Sequence, residues 1–279
     1  MTFIKRLTYA PYQAFKTSAF YQKLKAVKSL RSAKLAFDQL ASALLPRRRH
    51  LHGDSILENT FILLGCQFRV TSICETGTFM GVSTSFMARE FPSTPIYTSE
   101  INPNSFTKAK KSLEKHKNVT CFEGTSPKFL THLFDRDLLG NCPMFYLDAH
   151  WRDAWPLEDE IKIISTRTKR AVIMIDDFKV PDGPQFNYDS YADKECSLDM
   201  ILPQLNKKQR YQALFPNYQA NDVFPDDVNR PEITGYVIIF QNLPNEFIQF
   251  SNDPFIKKYF SDRSDLLTAS SNQMREQVK

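Results

Sequence analysis

The stretch from Thr71 to Thr84, TSICETGTFMGVST, constrains the fold more than any other part of the sequence. A short apolar run ends in Glu75, and Gly77 and Gly81 then lead into a segment with helical character. This pattern predicts a buried strand, a tight glycine turn and the start of a helix. Such a unit places backbone N–H groups at the carboxyl edge of a sheet, where the anionic part of a ligand can bind.

The composition of the turn indicates which ligand class it suits. A dinucleotide site needs Gly-x-Gly-x-x-Gly so that the backbone can approach a pyrophosphate, whereas Phe79 and Met80 fill this turn. S-adenosylmethionine (SAM) carries a carboxylate, a ribose and an adenine but no phosphate, and the looser turn suits it. Glu100 ends the next apolar run, where a doubly wound fold holds ribose hydroxyls. We therefore predict a nucleoside site of the SAM type; an ordinary turn is the alternative.

Strand and helix patterns alternate from Asp54 to Asp177, which predicts a parallel sheet with right-handed crossovers. The predicted strands are residues 70–75, 96–100, 119–124, 144–148 and 171–175. The predicted helices are one capped by Asp54 or Ser55, one that opens at Val82, and then residues 104–116, 127–134, 157–166 and 196–205. Two later strands, 211–215 and 234–240, favour an antiparallel hairpin at the sheet edge. The fold class is thus α/β: a Rossmann-like, doubly wound, mostly parallel seven-stranded sheet with an N-terminal helical arm.

Five motifs resemble the metal-dependent class I SAM-dependent O-methyltransferases of the catechol and caffeoyl-CoA type. They are Glu75-x-Gly77-x-Phe79-x-Gly81-x-Ser83, Glu100-Ile-Asn-Pro103, Gly124-Thr-Ser126, Leu147-Asp148 with His150-Trp151, and Ile175-Asp-Asp177. The resemblance covers about residues 55–180. The rest of the chain has no equally specific match to this family. The same region is similar to macrolide-sugar O-methyltransferases and to cephalosporin-hydroxylase-like proteins.

The resemblance implies a SAM site with a defined set of contacts. Glu75, Gly77, Gly81 and Ser83 are expected to hold the methionine part, and Glu100 the ribose. Ser126 matches a position beside adenine. Because Ser126-Pro127 is also a good helix start, Ser126 as a helix cap is the alternative, and both roles are compatible.

Acids at the ends of the fourth and fifth strands predict a metal site. Asp148 and Asp176 follow neighbouring strands, so their carboxylates are expected within about 5 Å of each other. Converging carboxylates repel unless a cation or protons intervene, and oxygen ligands favour Mg²⁺. The resemblance matches Asp148, Asp176 and Asp177 to the three metal ligands, although the catechol type has Asn at the last position. Taken singly, each acid is equally explained as a solvated loop residue.

The expected base differs from that of the resembling family. Both branches have a lysine within a few residues of the first metal Asp, whereas this chain has Ala149-His150-Trp151-Arg152. His150, with an ordinary pKa of about 6.5, is the predicted catalytic base beside Asp148; a histidine that contacts adenine is the alternative. Aromatic residues are candidates for the acceptor wall, with packing as the alternative for each: Trp151, Trp155, Phe186, Tyr188 and Tyr191.

Charge is concentrated at the N-terminus. Residues 1–49 hold eleven Lys or Arg and one acid, Asp38, a net charge of +10 against +5 for the whole chain. Apolar residues recur there at helical spacing, which predicts a basic amphipathic arm over 1–50, followed by the catalytic domain over 51–260 and a polar tail over 261–279. The arm is interpreted either as a helical cap on the domain or as an anchor for anionic lipid or a polyanionic substrate. No nucleic-acid module is present.

Composition sets the remaining expectations. Five cysteines without a Cys-x-x-Cys pair indicate reduced thiols. No stretch of about 18 apolar residues and no secretory signal is evident. We therefore expect a cytoplasmic protein, which is peripheral to the inner face of a membrane if the arm binds lipid. The predicted function is SAM- and Mg²⁺-dependent O-methylation of a small molecule or glycoconjugate, such as a sugar diol or catechol. The alternative is a non-catalytic SAM-binding or nucleotide-binding module. Oligomeric state stays open.

Overall fold

The computed structural model describes residues 50–150, 155–191, 194–225 and 232–267. The chain divides into two compact units, Met1–Asn59 and Thr60–Lys279. The predicted basic arm, apart from His50, lies outside the described residues, and so do Trp151 and the end of the predicted tail after residue 267. Within the described ranges, no helix has both the length and the apolar character needed to cross a bilayer.

In the first unit, the described residues form a short turn and the beginning of a helix. A 3-10 turn, Leu51–Gly53, precedes helix α1, Ser55–Gln67. The Asp54 carboxylate accepts hydrogen bonds from the N–H groups of Ile56 at 2.8 Å and Leu57 at 2.9 Å. Asp54 therefore caps the helix by satisfying two N–H groups that have no partner within it, which confirms the prediction of Asp54 or Ser55 as the cap.

The second unit continues as alternating strands and helices and ends in antiparallel strands. Its further helices are α2 Val82–Glu90, α3 Pro103–Leu113, α4 Ser126–Asp135, α5 Leu157–Arg167, α6 Leu198–Ile201, α7 Ala220–Val223, α8 Pro244–Ser251 and α9 Pro254–Tyr259. Its strands are β1 Ile73–Thr76, β2 Ile96–Glu100, β3 Val119–Glu123, β4 Met144–Leu147, β5 Ala171–Ile175, β6 Phe186–Asn187, β7 Ser190–Tyr191, β8 Lys194–Glu195, β9 Tyr211–Pro216, β10 Ile233–Thr234, β11 Val237–Gln241 and β12 Phe260–Asp262.

The central sheet has the order β12-β9-β11-β5-β4-β1-β2-β3. Pairs from β3 to β5 are parallel, and those between β5, β11, β9 and β12 are antiparallel. This confirms the mostly parallel sheet with an antiparallel edge, but the sheet has eight strands where the sequence predicted seven. The additional strand, β12, pairs Phe260 with Pro216 across the expected domain boundary at residue 260. Three residues are too few to produce a readable alternation.

The predicted strand 234–240 is interrupted at Gly235. β10 pairs with β6 in the loop after β5, whereas β11 joins the main sheet between β5 and β9. Between them, the Gly235 carbonyl accepts from the Phe178 N–H at 2.8 Å, and a Cβ at Gly235 would lie 2.3 Å from the Phe178 carbonyl oxygen. The backbone approach that requires glycine therefore breaks the strand and fastens this loop to the sheet.

Helices cover both faces of the sheet because successive residues of a strand point in opposite directions. On β4, the Tyr146 ring lies 6.0 Å from that of Phe61 on α1, while the preceding Phe145 ring lies 6.4 Å from that of Phe134 on α4. All four residues of β4 are buried, as are those of β1. The carboxyl ends of these central strands form the edge of the sheet on which the predicted site residues lie.

Candidate functional site

The glycine turn after β1 is pressed against the end of β4. Gly77 has a φ of +86°, and a Cβ placed on it would lie 2.1 Å from the Asp148 carbonyl oxygen. The N–H groups of Gly77 and Thr78 both bond to the Ser99 carbonyl, at 3.0 and 2.9 Å. Only glycine fits here, because both the left-handed backbone and the close approach exclude a side chain. The turn is thereby fixed to the ends of β4 and β2.

Glu75 is fully buried and serves as an acceptor for three hydroxyl groups. Ser83 donates to one carboxylate oxygen, and Thr84 and Thr98 donate to the other, Thr98 at 2.7 Å. Burial raises the pKa of the carboxyl, and these hydroxyls oppose the rise. Glu75 thus ties the first turn of α2 to β2. A direct contact of Glu75 or Ser83 with a cofactor stays a prediction.

Glu100 lies at the tip of β2 with its carboxylate held by the backbone. One oxygen accepts from the Phe79 N–H at 2.7 Å, and the other accepts from the Asn102 N–H at 2.8 Å. A carboxylate oxygen can accept more than one hydrogen bond, so each retains capacity for a ligand hydroxyl. The carboxylate is oriented before any ligand arrives, beside the glycine turn.

Ser126 is the first residue of α4, and Thr125 occupies the cap position. The Ser126 hydroxyl makes no capping bond, so the interpretation of Ser126 as a helix cap is wrong. It is buried close to the carboxyl group of Glu160 on α5, which accounts for a polar neighbour within the protein. A contact of Ser126 with adenine stays a prediction.

Glu160 is a second buried acid, which the sequence analysis did not single out. It is fully buried on α5, close to the hydroxyl groups of Ser126 and Thr76. Burial raises its pKa to about 7, although the hydroxyls of Ser126 and Thr76 lower it. Its position could have been found from the sequence, because it falls on the buried stripe of α5 with Leu157 and Ile164.

The three predicted metal ligands follow adjacent strands. Asp148 comes directly after β4 and Asp176 directly after β5, and the Asp176 N–H bonds to the Leu147 carbonyl at 3.0 Å. Asp176 is fully buried and accepts a short hydrogen bond from the Tyr146 hydroxyl. Asp177 has a φ of +49°, an uncommon backbone conformation for a residue other than glycine.

Two of the predicted metal ligands lie close together, since one carboxylate oxygen of Asp176 is within 4.8 Å of one of Asp177. A second group of ligand atoms at this edge differs from the predicted set. One atom each from His150, Asp177 and Asp189 lie within 4.8 Å of one another, and neither Asp148 nor Asp176 belongs to this group. Asp189 lies on the loop between β6 and β7, and the sequence analysis did not name it. The only sequence signal was an acid within an unusually aromatic loop.

His150 is 2% exposed, and neither ring nitrogen has a hydrogen-bond partner in the described parts of the chain. Burial lowers its pKa, and the charges of Asp189 and Asp176 partly oppose this. The imidazole is therefore neutral at pH 7, since its ordinary pKa already lies below that value. A neutral imidazole can accept a proton or bind a metal ion.

The aromatic candidates fall into different places. The Trp155 ring is 6.1 Å from the His150 ring and nearly parallel to it, and the Tyr191 ring is 5.9 Å from that of Trp155. Phe186 instead packs on Tyr218, with 5.3 Å between the rings. The Tyr188 ring lies 5.2 Å from the Lys179 ammonium, and Trp151 is outside the described residues. Of these candidates, only Trp155 makes a ring contact with His150 in the described structure, and Tyr191 in turn contacts Trp155.

The sequence matches no family model and no curated protein. Among solved structures, the chain is similar to an O-methyltransferase from Bacillus cereus in complex with SAH, with 16% identity, a TM-score of 0.45, and 80% of this chain and 97% of that one covered. It is also similar to the O-methyltransferase TomG from Streptomyces achromogenes in complex with SAM, with 17% identity, a TM-score of 0.45, and 67% and 79% covered. In its strand order and in the direction of its edge strands, the chain has a Rossmann-like, doubly wound fold with an antiparallel edge.

Proposed function

We propose that this protein is a SAM-dependent O-methyltransferase that acts on a hydroxyl group of a small molecule or glycoconjugate. The observation that carries the proposal is the Glu100 carboxylate, which two backbone N–H groups orient at the tip of β2 beside the glycine turn. A carboxylate at this place in a doubly wound sheet suits the two ribose hydroxyls of a nucleoside. A sugar diol or a catechol is the acceptor class that we favour.

The remaining cofactor contacts follow from the same edge of the sheet. The turn from Gly77 to Gly81, with Ser83, would hold the methionine part, and Glu75 would support it by fixing the turn to β2. Ser126, the first residue of α4, would contact adenine. In the reaction, the acceptor oxygen bonds to the methyl carbon, the carbon–sulfur bond breaks with its electron pair going to sulfur, and the hydroxyl proton passes to a base.

A divalent metal ion belongs to the proposal. Asp148, Asp176 and Asp177 follow two paired strands, and their oxygen atoms are the ligand type that Mg²⁺ prefers. When bound, such an ion would acidify the acceptor hydroxyl. With this ligand set, His150 is left to accept the proton, and its lowered pKa keeps the imidazole neutral and able to do so.

The first test is a calorimetric titration of SAM and of SAH into the purified protein. Glu100→Gln should weaken SAM binding by about 10-fold or more, because glutamine replaces one acceptor oxygen with a donor that a ribose hydroxyl meets less well. The matched control is Glu123→Gln. Glu123 stands opposite Glu100 in the register of β2 and β3 but is exposed, so its change should leave SAM binding as in the wild type.

Three outcomes separate the alternatives. An absence of any heat from SAM with folded wild-type protein would refute the proposed function. Equal affinities for the Glu100→Gln and Glu123→Gln variants would remove Glu100 from the site. Binding of SAM without methyl transfer to any member of a panel of diols and catechols would instead favour a non-catalytic SAM-binding module.

A further inference from the structure

We infer that His150, Asp177 and Asp189 form a divalent metal site, which is a different ligand set from Asp148, Asp176 and Asp177. One ligand atom from each of the three residues lies within 4.8 Å of the other two. Ligand atoms of a tetrahedral ion such as Zn²⁺ are about 3.3 Å apart, because each bond is about 2 Å long. Closure around an ion thus requires the ligand atoms to approach one another by about 1.5 Å or less.

The second observation is the state of His150. A buried imidazole normally donates or accepts a hydrogen bond, yet neither of its nitrogens has such a partner in the described structure, and the residue is 2% exposed. A metal ion in the group would give one nitrogen a bond and would explain why a buried polar ring is placed against two acids. The carboxylates of Asp177 and Asp189 alone would not indicate a metal site.

Asp189 is held in position by main-chain hydrogen bonds to the residues that follow two strands. Its N–H bonds to the Asp177 carbonyl at 2.9 Å, and its own carbonyl accepts from the Cys196 N–H at 2.9 Å. The Tyr191 hydroxyl donates to one Asp189 carboxylate oxygen at 3.3 Å. The loop therefore brings Asp189 to Asp177 through main-chain contacts that do not depend on an ion, so this part of the site is formed in advance.

The ligand types indicate which metal the site selects. One imidazole nitrogen with two carboxylates suits a divalent transition metal such as Mn²⁺ or Zn²⁺ better than Mg²⁺, which prefers oxygen alone. Cys196 lies nearby, with its sulfur 3.7 Å from the Asp176 carbonyl oxygen. Its sulfur is not among the grouped ligand atoms.

This inference rests on the proposed function and deepens it, because it gives His150 and Asp148 different roles in the same site. As a ligand, His150 cannot also accept the proton of the acceptor. Asp148, which is half-buried and outside the group, then becomes the carboxylate at this edge that takes it. Metal binding is measured without SAM, so failure of the metal site and failure of SAM binding are separate results.

The experiment uses chelator-treated full-length protein and Mn²⁺ alone. Pulsed electron paramagnetic resonance of bound Mn²⁺ should show coupling to an imidazole ¹⁴N, which a site of three carboxylates does not produce. Calorimetric titration should give tighter binding of Mn²⁺ than of Mg²⁺. Asp189→Asn should weaken Mn²⁺ binding by about 10-fold or more, in the range found when groups that support a metal are removed. Asp182→Asn, at an exposed position on the preceding turn, is the matched control and should change nothing.

Two results would overturn the inference. One is an absence of Mn²⁺ binding to folded wild-type protein. The other is bound Mn²⁺ without nitrogen coupling, together with affinity that falls in Asp148→Asn but not in Asp189→Asn, which would assign the ion to the strand-end carboxylates. Because the spectroscopic test uses the wild type, it holds even where a His150→Ala variant fails to fold.

Discussion

Replacement of Glu160 by glutamine is expected to stabilise the protein at pH 8 by up to about 3 kcal/mol while changing its stability little at pH 4.5. Burial raises the pKa of Glu160 from 4.5 to about 7. Between these values the folded state keeps a proton that the unfolded chain releases. Stability from this group is therefore complete below pH 4.5 and is lost as the pH rises through 7. Glutamine stays neutral throughout and avoids the loss.

Urea denaturation of both proteins between pH 4.5 and 8 measures this effect. Only the difference between the wild type and the variant is used, since other groups titrate in the same range. Glu114→Gln, at an exposed position just after α3, serves as the control and should follow the wild type at every pH. A difference between Glu160→Gln and the wild type that stays constant with pH would contradict the raised pKa.

The Gly77→Ala substitution should be the most damaging single change in the cofactor turn, at about 3 kcal/mol or more. Alanine is strained at a φ of +86°, and its Cβ would lie 2.1 Å from the Asp148 carbonyl oxygen, a backbone atom that moves only with the end of β4. The ends of β1 and β4 would therefore have to separate. Since the turn would shift with them, SAM binding should fall by more than about 10-fold.

Gly81→Ala provides the comparison. Gly81 also has a positive φ, +74°, but a Cβ there would meet the Leu113 side chain at 2.9 Å. A side chain can rotate away, so we expect a smaller loss of about 1–2 kcal/mol. Chemical denaturation and SAM titration of the two variants test this order. If Gly77→Ala is no more destabilising than Gly81→Ala, the contact with the β4 backbone does not control the turn.

Residues that follow parallel strands could be predicted from the sequence because the pattern itself places them. The apolar runs of β2 and β5 end where the strands end, so Glu100 and Asp176 were assigned to the carboxyl edge from the alternation alone. β1 begins three residues later than predicted. The Ser72 hydroxyl donates to the Leu139 carbonyl, a tertiary contact that local sequence does not reveal.

Two residues escaped prediction for physical reasons. Asp189 reaches the site through main-chain hydrogen bonds of a loop, and such bonds leave no mark on residue type or spacing. Glu160 lies in the first turn of α5, where the helix dipole favours an acid, but its face of the helix is buried. The helix dipole favours the charged form of such an acid, whereas burial disfavours it, and tertiary packing determines which effect is larger.

The position of β11 imposes an order on the assembly of the sheet. β9 precedes β11 in the chain, yet its partners in the sheet are β11 and β12, both of which come later. During synthesis, β1 to β5 can pair as they emerge, while β5 keeps an unpaired edge and β9 has no strand to join. The open edge of β5 is a template for pairing with other chains until Val237 and the residues after it arrive. The antiparallel strands thus act as the closing step of folding.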